Sequence, residues 1–358
     1  MSFEYTAAGA AENLLLNCAK LSSANSLLIV HEDPKLGWYD AVVTEAVTAA
    51  ARELGIELQT LEVGAPCNQR DARVIEAMQA HDCTLFLSRI GDQDRFAEPQ
   101  AGKIIVMCYL RSQDMLASGF GGVSYAATLD LKKILDRLIS TASRIDIRCP
   151  LGTDCSLEQR PRESTELADV SVRRFPMGVV TPIDAGRLSG RVALTDFLTP
   201  TGSSVYEPAS LALDETVFAL IEAGRIDGFE GAADTVASVE QHYRQVAQQF
   251  GIDADFVHSW HVGMHPGLSY LQAAAANPDR WSNTIFNHPR ILHFHTCGAY
   301  APGEISWIVK DPTVELDAKP LWQNGVLKID DFAEARACLQ RWPELEYLYA
   351  QDAGQIGI

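Results

Sequence analysis

The sequence predicts an α/β protein: an N-terminal parallel-sheet α/β domain over residues 1–150, then a C-terminal mixed α/β domain over 151–358 that carries a metal site. Three observations lead there. Up to about residue 150, continuous apolar runs alternate with amphipathic helical stretches, the pattern of parallel strands covered on both faces. Beyond Cys149 the segments shorten and turn residues gather at Pro150, Gly152, Asp154 and Pro161. Finally, six of the nine histidines (His258, His261, His265, His288, His293 and His295) fall between positions 258 and 295. A chain of 358 residues also exceeds the usual size of a single core.

The elements follow in order. SLLIVHE (26–32) reads as a buried strand, YDAVVTEAVTAAARELG (39–55) as a helix closed by Gly55, and IELQTLEV (56–63) as the next strand. DARVIEAMQAH (71–81) is helical, and CTLFLS (83–88) and KIIVMCYL (103–110) are strands. GFGGVSYAA (119–127) has neither the GxGxxG spacing nor a Walker lysine and reads as a flexible loop. LDLKKILDRLISTASRI (129–145) closes this half as a helix, with Lys132, Lys133 and Arg137 on a solvated face.

In the second half, DETVFALIEAGRIDGFEG (214–231) reads as two strands joined at Ala223-Gly224. AADTVASVEQHYRQVAQQFG (232–251) is a helix stopped by Gly251. A helix is expected near LSYLQAAAA (268–276), a strand pair broken at Pro312 in EISWIVKDPTVELD (304–317), and a late helix in DFAEARACLQRW (331–342).

Composition narrows the function. Hydrophobic residues at 47% and charged residues at 21% describe a globular protein with ample core. A net charge of -18 repels phosphates, so nucleic acid is not an expected partner. The first twenty residues lack a signal-peptide pattern, and no apolar run reaches the ~18–20 residues that span a bilayer, so a cytoplasmic protein without membrane contact is expected. The eight cysteines are dispersed without a CxxC pair, as small buried hydrophobes in a reducing compartment would be.

The histidines carry the chemistry. In RILHFHTC (290–297), period-two alternation puts His293, His295 and Cys297 on one face of a strand. Same-face neighbours lie about 6.5–7 Å apart, close enough for two imidazoles to converge on one metal. In HVGMHPG (261–267), an extended chain would hold His261 and His265 roughly 13 Å apart, too far to share an ion. Gly263, Pro266 and Gly267 disfavour a regular helix, so a strand end turning into a loop is expected, with His261 or His265 at the site. A cupin fails on spacing, since Glu304 lies nine residues beyond His295. GxSxG and HExxH are both absent, which removes the common serine hydrolases and zinc proteases.

The C-terminal half resembles the superfamily of thermophilic metallo-aminopeptidases and 2,5-dihydroxypyridine 5,6-dioxygenases. The resemblance rests on GRIDGFEGAADTVASVEQHY, HVGMHPG and ISWIVKDPTVELD, in that order over about the last 160 residues. It implies a metal site and, by analogy, a homodimer. The peptidases build a two-metal site largely from carboxylates, one in a segment similar to PTGSSVYEP (200–208), where Ser203 stands here, and another where His261 stands. The dioxygenases use one iron with a histidine at the place of His261. Both branches carry a His-x-Asp pair where this chain has Glu304-Ile305-Ser306.

The expected ligands are therefore His261, His293 and His295, with Glu304 as a carboxylate. The expected cofactor is Fe(II), with Zn, Co or Mn as alternatives. His265 or His258 is expected as acid/base and Tyr300 as a hydrogen bond to a small-molecule substrate. Three functions stay open: an iron oxygenase acting on a small aromatic or N-heterocyclic diol, a metal-dependent hydrolase, and a relative without catalysis.

Overall fold

The computed structural model describes residues 3–69, 71–93, 101–160, 171–202, 205–299 and 302–358. The chain opens with α1 (Ala7–Glu12), continued by a π-turn, then β1 (Ser26–Glu32), α2 (Ala41–Glu53), β2 (Glu57–Val63), α3 (Ala72–Ala80), β3 (Cys83–Leu87) and β4 (Ile104–Cys108). Two short turns follow, α4 (Gln113–Leu116) and α5 (Gly119–Gly122), and then the long helix α6 (Tyr125–Thr141). Next come β5 (Arg144–Arg148), β6 (Asp154–Glu158), β7 (Arg173–Phe175), β8 (Ile183–Asp184), β9 (Ser189–Leu198), β10 (Leu211–Glu222) and β11 (Arg225–Glu230). After α7 (Ala233–Phe250) and β12 (Val257–Val262) stand α8 (Pro278–Ile285), β13 (Ile291–Cys297) and β14 (Glu304–Lys310). The chain ends with β15 (Thr313–Leu316), β16 (Lys319–Gln323), β17 (Val326–Leu327), α9 (Ala333–Arg341) and α10 (Pro343–Tyr349).

Among the described residues the strands form three sheets. The first, in order β2-β1-β3-β4-β7, is parallel throughout. Its apolar runs are continuous because both faces are covered: Leu27 and Ile29 pack with Val43 and Val47 of α2, while Leu28 and Val30 pack with Val74 of α3. The second sheet, β11-β10-β9-β6-β5-β15-β16-β17, and the third, β14-β13-β12-β8, are antiparallel. The protein is thus a mixed α/β fold. Residue 150 does not separate the sheets, because β5 belongs to the second sheet and β7 returns to edge the first. No helix among the described residues is long and apolar enough to cross a membrane.

Most expected elements appear within a few residues, including the Ala223-Gly224 turn and the Gly251 stop, where φ is +64°. Four expectations are corrected. GFGGVSYAA is no loose loop: Gly121 packs against Ala10, and Asn13 Nδ2 donates to the carbonyls of Gly121 and Val123. Glycines here permit close packing onto α1. LSYLQAAAA forms only a 3-10 turn at Ala274–Ala276, because the C-terminal tail takes its backbone hydrogens: Tyr270 N donates to Gln355 O and Ala274 N to Gly357 O.

The stretch 304–317 is two strands but not a hairpin. Asp311 adopts φ +50° and pairs with Arg290, Pro312 lacks an N–H, and the chain passes from the third sheet into the second. Lys132 is not solvated; it is 4% exposed and ion-paired with Asp136 one helical turn on.

Gly263, just past β12, shows how tightly the third sheet is seated. Its N–H donates to Ile291 O, its carbonyl accepts from Trp322 Nε1, and a Cβ there would run into the His288 carbonyl. Gly263→Ala should therefore destabilise the fold by at least the ~1–3 kcal/mol typical of overpacking. A urea midpoint equal to wild type would show that this backbone can give way.

Candidate metal centre

The third sheet builds the centre by pairing and alternation. β12 and β13 run antiparallel with His261 opposite His293 and Ser259 opposite His295. β13 pairs on its other side with β14, placing Cys297 opposite Glu304 and His295 opposite Ser306. Trp260, Phe294 and Trp307 alternate onto the reverse face and are wholly buried. There Trp307 Nε1 donates to Tyr243 OH, which is bonded in turn to Thr296 Oγ1, so α7 closes the back of the sheet.

On the front face three imidazoles converge. His261, His293 and His295 are all buried, and their ligand atoms lie within 4.8 Å of one another. The ring centroids are 4.9 Å apart in each pair; His261 and His293 are parallel to within 2°, and His295 stands across both at 77–78°. Phe286 stacks on His293 at 3.9 Å and walls the site on that side.

What stands behind the rings sets what they present. His261 Nδ1 lies 3.0 Å from Val180 O. A carbonyl only accepts, so Nδ1 carries the hydrogen, and in the neutral ring Nε2 keeps its lone pair. His295 Nδ1 contacts Glu304 Oε1, and a carboxylate favours the hydrogen on that nitrogen too. Metal-binding histidines are commonly oriented in this way by a carbonyl or carboxylate on the other ring nitrogen. The donor set thus fits a divalent ion: three converging imidazoles, at least two of them oriented by a carbonyl or carboxylate on the other ring nitrogen.

Glu304 itself is wholly buried and lines the cavity in front of the imidazoles. Its Oε1 faces His295, its Oε2 accepts from Thr201 Oγ1, and its backbone carbonyl accepts from Tyr206 OH. It is placed as a support for His295 and is not one of the three converging groups.

The other expected residues lie elsewhere. His265 is fully buried, edge-on to Phe120 at 5.0 Å, with neither ring nitrogen hydrogen-bonded to a described residue. Burial pushes its pKa down to about 3. His258 stacks on Phe256, and its Nε2 lies 2.7 Å from Cys297 O. His288 is held between Gly354 O and Arg290 N, with burial lowering its pKa to about 4. Neither His265 nor His258 lines the cavity at the imidazoles. Tyr300 and Ser203 fall outside the described residues.

The cavity in front of the imidazoles, about 80 Å³, brings in groups that sequence reasoning did not find: Asp92, Tyr109, Arg174, Asn283 and Asn287. Asp92 follows β3, Tyr109 follows β4 and donates from its OH to Asp92 Oδ1 at 3.2 Å, and Arg174 lies in β7. They stand at the carboxyl edge of the parallel sheet, where open α/β sheets commonly bind ligands. That rule, applied to the strands at 83–88 and 103–110, was the available signal.

Comparison with known proteins found no matching family model and no curated relative. Solved structures do match in fold. The 2,5-dihydroxypyridine dioxygenase from Pseudomonas putida KT2440 aligns over 92% of this chain and 98% of its own, with TM-score 0.61 and 13% identity. AmpT from Thermus thermophilus aligns over 90% of this chain and 99% of its own, with TM-score 0.53 and 13% identity. The chain therefore shares its fold, over nearly its whole length, with these two structures.

Three buried histidines outside the centre make stability depend on pH. His242, His265 and His288 have folded pKa values lowered by burial to about 4, 3 and 4. Below the unfolded value of 6.5 the unfolded chain binds protons that the native state refuses. Stability is therefore full above that pH and falls as pH drops toward 4, by up to ~1.4 kcal/mol per pH unit for each site. His265→Leu should flatten the fall in urea midpoint between pH 6.5 and 4.5. An unchanged slope would mean that His265 is not held neutral.

Proposed function

We propose that this protein is a non-haem Fe(II)-dependent oxygenase acting on a small aromatic or N-heterocyclic diol. The observation that carries the reading is the convergence of His261, His293 and His295, all imidazole and all buried. A cluster of three imidazoles suits one divalent ion better than a carboxylate-bridged pair of hydrolytic ions, and iron is among the ions that imidazole binds. The fold likeness to a dihydroxypyridine dioxygenase is consistent with that choice.

Iron bound there would supply the electron chemistry that lets dioxygen react with a closed-shell ring. The protein's own groups do the rest. Phe286, packed on His293, keeps water from one side of the centre. Arg174 sets a guanidinium in the cavity wall to attract an ionised hydroxyl or carboxylate of the substrate. The Asp92 carboxylate, which accepts from Tyr109, puts a negative group in the same cavity wall that a substrate hydroxyl would face. Asn283 and Asn287 offer neutral amides for ring substituents.

Protein purified without oxygen should carry about one iron per chain and consume oxygen only when a dihydroxypyridine or catechol is added. His295→Ala should lose both, with metal affinity falling by more than the roughly 10–100-fold that changes to supporting residues cost. Two zinc or cobalt ions per chain, with cleavage of an aminoacyl-naphthylamide, would replace this reading with a hydrolase. Iron and turnover retained in His295→Ala would remove His295 from the site.

A further inference from the structure

We propose that Asp136, on α6, is a positioning residue for the His261 ring, acting through the single peptide group that joins Val180 to Thr181. The inference rests on the metal reading only for its consequence, since the ring's state is set in the protein itself.

That peptide is held at both ends. Its carbonyl, Val180 O, lies 3.0 Å from His261 Nδ1. Its N–H, Thr181 N, donates to Asp136 Oδ1 at 2.8 Å. The carboxylate also accepts the Thr181 hydroxyl on Oδ2 at 2.8 Å. Lys132 Nζ donates to Asp136 Oδ2 and to Thr181 Oγ1, both at 2.6 Å. Lys132 and Thr181 are each 4% exposed and the Asp136 side chain 13%, at the wall of a cavity, so the network is partly shielded from solvent. Val180 N donates to Val262 O at 3.3 Å, which ties the same segment to the end of β12.

Two consequences follow. Asp136 fixes the plane of the peptide, and with it the direction from which the carbonyl meets His261. The negative charge on the N–H also polarises the amide and makes Val180 O a stronger acceptor, since hydrogen bonds in a chain reinforce one another. Both effects hold the hydrogen on Nδ1 and keep Nε2 free to bind a cation. Glu304 supports His295 by direct contact; Asp136 supports His261 one peptide further away.

A buried ion pair contributes little to stability against apolar groups of similar size, so stability alone does not account for this one. A role in orientation does.

The test reads the ring directly. In metal-free protein at pH 8, the imidazole nitrogen shifts of His261, assigned against His261→Gln, should show hydrogen on Nδ1 alone. In Asp136→Asn the two shifts should move toward each other as the tautomers mix, and cobalt(II) affinity should fall by roughly ten- to a hundred-fold. The double substitution Lys132→Met with Asp136→Leu removes the pair without stranding a buried charge, and should give the same two results if Asp136→Asn folds poorly. Asp130→Asn is the control, because Asp130 on the same helix bonds Arg341 and Trp342 instead. It should leave both readouts at wild type.

A folded Asp136 variant with wild-type shifts would overturn the proposal. Wild-type protein that takes up no cobalt would sink the metal reading, while the shift comparison would still decide what Asp136 does to the ring.

Discussion

His261 stands across from His293 because β12 and β13 pair in a register that also sets Trp260 against Phe294. Side chains on a strand alternate between faces, so a slip of one residue would send imidazoles into the core and indoles into the cavity. The large apolar side chains forbid it: Trp260, Phe294 and Trp307 are entirely buried on the reverse face. The centre is thus specified by the hydrophobic face that it does not use. α7 reinforces the arrangement through Tyr243, which bonds both Trp307 and Thr296.

Local pattern made part of this legible. HFH within an apolar run is a strand with two imidazoles on one face, and that face is where they are found. His261 was legible as the end of a strand because glycine and proline follow it. The choice between His261 and His265 was not, since it turns on which of them the sheet carries. β12 ends at Val262, and His265 N donates to Asn287 O as the chain leaves the sheet. Lys132 misled for a related reason. Its spacing suits a solvated face, but Thr181 and Asp136 are waiting for it, and Thr181 comes from a segment 49 residues away in sequence.

Nothing local could reveal the substrate side of the cavity. Asp92, Tyr109 and Arg174 reach it from three places in the chain, and β7 does so only by pairing with β4. An aspartate after one strand and a tyrosine after the next carry no signature of their own. Their meaning comes from topology: the carboxyl edge of a parallel sheet faces the front of an antiparallel one. The same fold supports structures that share only 13% of this sequence, so the fold supplies the cleft and the side chains supply the chemistry.

The character of those side chains constrains the order of events on the oxygenase reading. Val180 O and Glu304 hold hydrogen on the outer nitrogens of His261 and His295, so lone pairs point inward from both rings. A centre lined with lone pairs attracts an electron-pair acceptor and repels an anion. An ionised diol would therefore meet repulsion from the bare imidazoles and attraction once a divalent ion stood among them. Arg174 draws the same anion from the cavity wall. On that reading a divalent ion among the imidazoles adds its charge to that of Arg174, so metal bound first makes the cavity more receptive to an anion.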